Sequence, residues 1–200
     1  MGITERRQRQ KDEVRTSIIN AARKLVLDEG WQSLSIRRIA DAIEYSVPVI
    51  YDHFENKDAI LTEFTLTGYA MLAESLQQAK NQFDNPCQQL EAMAHAYWDF
   101  AFDNKEYYQL MFGLGMPNCE SARSIPGLAA FGTLMISSIT AVIATSPDKH
   151  KDPMLKYHTF WSVLHGLVSI NMMHKTTTKD GMNEAILKDA IASFIKALKE

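Results

Sequence analysis

Apolar residues recur at steps of three and four along most of this chain, which is the period of helices with one buried face. Val14, Ile18, Ala22 and Leu25 form the first such stripe and predict a helix from about Lys11 to Glu29, stopped by Gly30. Residues 1–10 carry no stripe and are expected to be a mobile basic arm. Ile36, Ile39, Ala40 and Ile43 mark a short second helix that Ser35 can cap, with Trp31 and Leu34 packed beneath the connection. Ser46 can cap a third, with Pro48 in the first turn, where no N–H is needed, and Ile50 and Phe54 facing inward. Asn56 caps a long fourth helix with Asp58 in its first turn, running through Phe64, Met71 and Leu72 to about Lys80.

From Asn85 the elements lengthen. Asn85-Pro86-Cys87-Gln88 reads as a cap, a first-turn proline and a glutamine able to return the capping bond. A fifth helix follows with Leu90, Met93, Tyr97, Trp98, Ala101 and Phe102, and a short sixth from Asn104 with Tyr107, Tyr108, Met111 and Phe112, ended by Gly113 and Gly115. A loop through Pro117 and Cys119 leads to a seventh helix striped with Leu128, Phe131, Met135, Ile139 and Val142, which Thr145-Ser146-Pro147 breaks. An eighth runs from about Pro153 to His174. Beyond the polar linker KTTTKDG, a ninth shows Ile186, Ala190, Ile191, Phe194, Ile195 and Leu198. No strand alternation and no internal repeat occur. The prediction is an all-α protein of about nine helices, with a head over residues 1–60 and a body over 61–200.

Composition sharpens this only locally. An apolar share of 46% across 200 residues is ordinary for a globular chain. The net charge of −3 hides an asymmetry: seven Lys/Arg face three Asp/Glu through Lys24, so the remainder carries −7. A basic end on an acidic body suits contact with a polyanion, and a solvated charged tail is the plain alternative. The stretch between Arg123 and Asp148 has no charge and is long enough to span a bilayer, but its glycines, serines and threonines fit a helix buried in a bundle better. Cys87 and Cys119 fit no metal or redox spacing, and no signal peptide opens the chain, so a reducing cytoplasm is expected.

Two short helices joined by a tight turn, the second offering small and polar groups, make a helix-turn-helix. A helix entering the major groove reads bases near its N-terminus, where Ser46, Val47, Pro48 and Val49 stand; apolar groups there can touch a thymine methyl. Tyr51, His53 and Lys57 suit phosphates, Lys57 doubly because the amides at a helix start are free. Each has a plainer reading: Tyr51 as a packed ring, His53 and Lys57 as solvated surface, and Arg37 as a partner of Asp41 at i+4.

SVPVIYDHFENK, preceded by SIRRIADAI and a long amphipathic helix, resembles the tetracycline-repressor family of bacterial regulators over residues 11–61. Tyr51, Phe54 and Lys57 match the family's Tyr-x-x-Phe pair and following Lys. The resemblance implies that Pro48 contacts bases and that Arg37 reaches a guanine. It departs at Glu44, where the family carries a turn glycine; a positive φ there would cost a non-glycine residue about 1 kcal/mol. AYWDFAFDNKEYYQLMFG and Trp161-x-x-x-His165-Gly166 are similar to the ligand-binding half of one subgroup.

One head makes too few contacts for a specific site, so a homodimer is expected with recognition helices about 34 Å apart. Its seam would use Ser162, Gly166 and Ser169 on the eighth helix with Ala190, Phe194 and Leu198 on the ninth, although those stripes could equally cover the subunit's own core. Tyr97, Trp98, Phe102, Tyr108, Met111, Phe112, Phe131, Met135, Trp161 and His165 would line an effector site, against the plainer reading of ordinary core. Asp99 and Asp103 could meet a cation but suit a solvated face. The functional expectation is a cytoplasmic transcription regulator, a repressor released from a palindromic DNA operator by a small apolar molecule, with no cofactor and no metal. An architectural DNA binder without effector is the second reading. The third is a metal enzyme built on His158 and His165 with His95 or His174, which no catalytic motif supports.

Overall fold

The computed structural model describes residues 2–112, 126–173 and 181–200. Among them are nine α-helices, one 3-10 turn and no strand. The helices are α1 (Ile3–Glu29), α2 (Ile36–Ala42), α3 (Val47–Tyr51), α4 (Lys57–Lys80), α5 (Pro86–Asp103), α6 (Lys105–Phe112), α7 (Pro126–Ala144), α8 (Pro153–Met173) and α9 (Gly181–Lys199). Two compact units divide at Thr65/Leu66, inside α4, five residues beyond the boundary read from the sequence. Gly113, Gly115, the loop through Pro117 and Cys119, His174 and the linker over 175–180 lie outside the described residues.

In the first unit, α1 begins at Ile3 rather than near Lys11. Its opening turns are exposed from Thr4 to Glu13, so they need no apolar stripe, and none marks them in the sequence. Good helix formers and local polar bonds hold them instead. Glu5 Oε2 accepts from the Gly2 N–H at 2.9 Å, and Gln8 Nε2 donates to Asp12 Oδ1 at 2.9 Å. Ile18, Ala22 and Val26 form the buried face, with Val14 and Leu25 only half-buried. Trp31 meets Phe64 edge to face at 5.3 Å, closing the small core with Leu34, Ile39, Ile50, Phe54 and Ile60.

The turn between α2 and α3 is built as a Schellman ending: the Tyr45 N–H reaches the Ala40 carbonyl at 3.0 Å and the Glu44 N–H reaches that of Asp41 at 3.3 Å. That closure requires a left-handed residue, and Glu44 takes it at φ 59°, the sole non-glycine positive φ among the described residues. Ser35 caps α2, accepting from the Arg38 N–H at 3.3 Å. Asn56 caps α4, accepting from the Ala59 N–H at 2.8 Å. Ser46 sits at the α3 cap position, but its hydroxyl makes no capping bond, contrary to the sequence reading.

In the second unit, α7 packs against α5, α8 and α9. Gly127–Ala144 is long and apolar enough to cross a membrane by composition. Its large stripe, Phe131, Met135, Ile139 and Val142, is at most 1% exposed, so packing inside the bundle accounts for it. Asn85 caps α5 through the Cys87 and Gln88 amides; Gln88 returns no bond, and Gln89 Nε2 instead donates to the Phe83 carbonyl at 2.8 Å. A Cβ on Gly127 would lie 2.6 Å from Tyr69 Cβ, so the start of α7 approaches α4 to a distance only glycine permits. Beyond the break at Ala144, the Ser146 hydroxyl donates to the Lys199 carbonyl at 3.1 Å and holds the end of α9.

Candidate nucleic-acid interface and internal aromatic cluster

α3 is only five residues long, yet it separates two kinds of side chain cleanly. Ile50 and, just past its end, Phe54 are buried at 0% and 3% exposure. Ser46, Pro48 and Tyr51 are exposed, with Val47 and Val49 partly so. Tyr51 leaves 53% of its surface open, so the reading in which it packs does not hold within its own unit. Arg37 is exposed, and among the described residues no ion pair with Asp41 or any other group ties it down. Arg38 beside it is engaged, forked onto the Glu29 carboxylate and bonded to the Ser33 carbonyl at 3.3 Å. Lys57 opens α4 and is half-buried.

Sequence reasoning missed two residues here. Tyr45, 48% exposed, stands immediately before α3, flagged only by being an aromatic outside both stripes. Arg15 is the other. Its guanidinium lies 4.2 Å from the Phe54 ring centroid, donates to the His53 carbonyl at 3.1 Å and pairs with Glu63 at 2.8 Å. One cation thus ties the end of α3 to α1 and α4. His53 is half-buried, and burial first, then the charge of Lys11, pushes its pKa below the usual 6.5, while Asp52 pulls the other way. It is therefore neutral near pH 7.

In the second unit the structure brings six of the ten aromatic and methionine positions together. Tyr97, Tyr108, Phe112, Phe131, Trp161 and His165 join ring to ring, His165 lying 5.0 Å from Phe112 and 5.7 Å from Tyr108 between centroids. A chain of hydrogen bonds runs through them. Trp161 Nε1–H donates to the Tyr97 hydroxyl at 3.3 Å, that hydroxyl meets Tyr108's at 2.9 Å, and Tyr108's meets His165 Nδ1 at 2.5 Å. Burial raises both tyrosine pKa values and lowers that of His165. Tyr97, Tyr108 and Phe131 are at most 2% exposed, whereas Phe112, Trp161 and His165 keep part of their surface open.

The other four do not join this chain. Trp98 and Phe102 form a pair of their own at 4.8 Å, and Met111 and Met135 are buried at 0% and 1% exposure. Tyr157, stacked 4° from parallel with Trp161, was missed, and Ser169, which the sequence reading gave to the dimer seam, lies 3.5 Å from His165 Nε2. Their signal was in the register, since Tyr157, Trp161, His165 and Ser169 follow at four-residue steps on α8. Among the described residues no group of three or more His, Cys, Asp or Glu could hold a metal ion.

The expected seam is only partly on the surface. Ser162 is exposed, and a Cβ on Gly166 would meet nothing within 4 Å. Leu155, Val163 and Ile170 continue that face of α8, and Met182 and Ile186 are open on α9, between 40% and 68% exposed. Ala190 and Ser169 are half-buried. Phe194 instead stacks on Phe160 at 4.2 Å, and Leu198 is wholly buried. Leu198 thus belongs to the inner stripe of α9 and serves the unit's own core, while Phe194 keeps part of its surface open.

Comparison with known proteins bears on both regions. Residues 18–64 match the family profile for bacterial regulatory proteins of the tetR family, and residues 90–194 match that for the tetracyclin repressor-like C-terminal domain. The transcriptional activator FasR of Mycolicibacterium smegmatis is 28% identical over 102 residues, 51% of this chain and 47% of that one. The transcriptional regulator HbdR of an Aromatoleum species is 33% identical over 89 residues, 44% of this chain and 38% of its own. The matched stretch thus spans about half or less of these relatives' length. A protein of unknown function from Rhodococcus sp. RHA1 superposes with a TM-score of 0.80 at 20% identity, over 93% of this chain and 95% of that chain, and so shares the fold.

Proposed function

Because the chain belongs to the tetracycline-repressor (TetR) family of bacterial transcription regulators, we propose that it works as a homodimeric repressor that a small effector removes from a palindromic operator. The observation that carries the DNA half is the outward face of α3. Pro48 and Tyr51 stand exposed over a buried Ile50, with Arg37 exposed on the helix before. In this reading Ser46, Val47, Pro48 and Val49 approach base edges, and Arg37 reaches a guanine. Tyr51, His53 and Lys57 grip phosphates, Lys57 aided by the free amides at the α4 start.

The effector site is assigned to the cluster around His165 and Trp161, with Tyr97, Tyr108, Phe112 and Phe131. Dimerisation is assigned to the open apolar face of α8 and α9. An effector acts only through its differential affinity for two states, so it must favour a spacing of the heads that no longer matches successive major grooves. α4 contributes residues to both units and, at 24 residues, is about 36 Å long, which suits it to carry that change. Like other members of its family, the protein would work in the cytoplasm.

The test is binding to duplexes taken from DNA flanking the protein's own gene, with and without cell extract, over a salt series. Wild type should bind one duplex with a steep salt dependence, and extract should release it. Tyr51→Phe with Lys57→Ala should weaken binding at least tenfold and flatten the salt slope by about one to two phosphate equivalents. Unchanged affinity and slope would refute the contact assignment.

A further inference from the structure

The hydrogen-bond chain in the second unit has a direction, and the direction selects a ligand. An indole N–H can only donate, so Trp161 makes the Tyr97 oxygen an acceptor. Tyr97 is fully buried, and its own hydrogen needs a partner. If the neighbouring Tyr108 hydroxyl also donated to it, the Tyr97 hydrogen would have only His165 Nδ1 left, 3.5 Å away. In that arrangement Nδ1 must itself carry a hydrogen to satisfy the 2.5 Å contact with Tyr108, and cannot accept. The Tyr97 hydrogen would then be stranded in the core, at a cost of roughly 1–3 kcal/mol.

The opposite order strands nothing. Trp161 donates to Tyr97, Tyr97 to Tyr108, and Tyr108 to His165 Nδ1. His165 is then neutral, as its burial favours, and its single ring hydrogen sits on Nε2. The only partner that nitrogen has among the described residues is the Ser169 hydroxyl at 3.5 Å, the far limit of a hydrogen bond. A chain of oriented dipoles therefore ends in an under-used donor on a ring that keeps part of its surface open.

Resting on the effector reading of this cluster, we propose that His165 Nε2–H is the recognition donor and that the effector is an apolar molecule bearing a carbonyl or carboxylate oxygen. Phe112 and Trp161 flank the ring and would hold the apolar part. A molecule presenting an ammonium or other donor at that point meets a hydrogen already directed at it. The polarity cannot reverse to suit such a ligand while Trp161 remains at its far end.

The test uses the full-length protein. Long-range 1H–15N NMR of the histidine rings, with His165 assigned by its loss in His165→Asn, should show hydrogen on Nε2 and none on Nδ1; the reverse pattern overturns the proposal. Titration then compares 2-naphthoate and its methyl ester with 2-naphthylmethylamine. The two oxygen-bearing probes should move the His165 signals and bind at least about tenfold tighter than the amine, the discrimination worth one hydrogen bond. Equal or tighter binding of the amine overturns the proposal, as does failure of both oxygen probes to move His165. Release of the DNA complex by cell extract separates the two readings. Release with unmoved His165 signals sinks only the acceptor assignment, whereas no release sinks the effector reading on which it rests.

Discussion

At position 44 the chain pays a local conformational cost in order to end one helix and start another. Glu44 occupies the left-handed region at φ 59°, where a Cβ crowds the backbone. Glu44→Gly should therefore raise stability by up to about 1 kcal/mol, part of it offset by glycine's freer unfolded chain, and denaturant melts would register the gain. His165 gives a second expectation. Its folded pKa lies below 6.5, so as pH falls through that value the unfolded chain takes up a proton that the folded chain refuses. Stability should decline as pH falls below 6.5, and His165→Phe should show a shallower decline in melting temperature there. His53 contributes with the same sign. The need for a left-handed residue at 44 was legible through the resemblance, because Glu44 stands where the family carries a turn glycine. The polarity at His165 was not, since it depends on which hydroxyls meet in space.

Between helices, the sequence was read best where a stripe faces a core. Ile36, Ile39 and Ala40, or Phe131, Met135, Ile139 and Val142, announce their elements because burial demands the period. It was read worst where nothing is buried: the opening of α1 has no stripe, and helix formation there follows local bonds that periodicity does not record. The stripe on α9 was ambiguous for a related reason. Period alone cannot say whether Phe194 and Leu198 meet their own core or a second subunit; Leu198 is wholly buried in its own chain, whereas Phe194 stacks on Phe160 with part of its surface open. The contact of α7 with α4 was likewise invisible, being a matter of distance. Gly127→Ala would push a methyl to 2.6 Å from Tyr69 Cβ, so the two helices must part. A loss of about 1–3 kcal/mol is expected in thermal or chemical unfolding, whereas a Cβ at Gly166 meets nothing within 4 Å in its own chain and should leave the subunit's packing unchanged.

For the molecule as a whole, the proposed dimer turns on the open apolar face of α8 and α9. Leu155, Val163, Ile170, Met182 and Ile186 are too large a set of exposed aliphatics to leave in water without consequence. Leu155→Lys with Ile170→Lys should shift the protein to monomer in sedimentation experiments and weaken operator binding at least tenfold, because each head alone grips only a half-site. A wild-type chain that sediments as a monomer at micromolar concentration would remove the dimer from the account. Through Lys24, seven Lys/Arg stand against three Asp/Glu, so the positive charge of the head is concentrated at its N-terminal end.

That end has a practical implication. The exposed opening turns of α1 place Arg6, Arg7 and Arg9 ahead of Ile18, Ala22 and Val26, the residues on which the head's core depends. Trimming the first nine residues would remove three guanidinium groups and leave the hydrophobic interior untouched. Charge at this terminus and folding of the head are thus separable, and an immobilisation anchor could be attached there without unfolding what it presents.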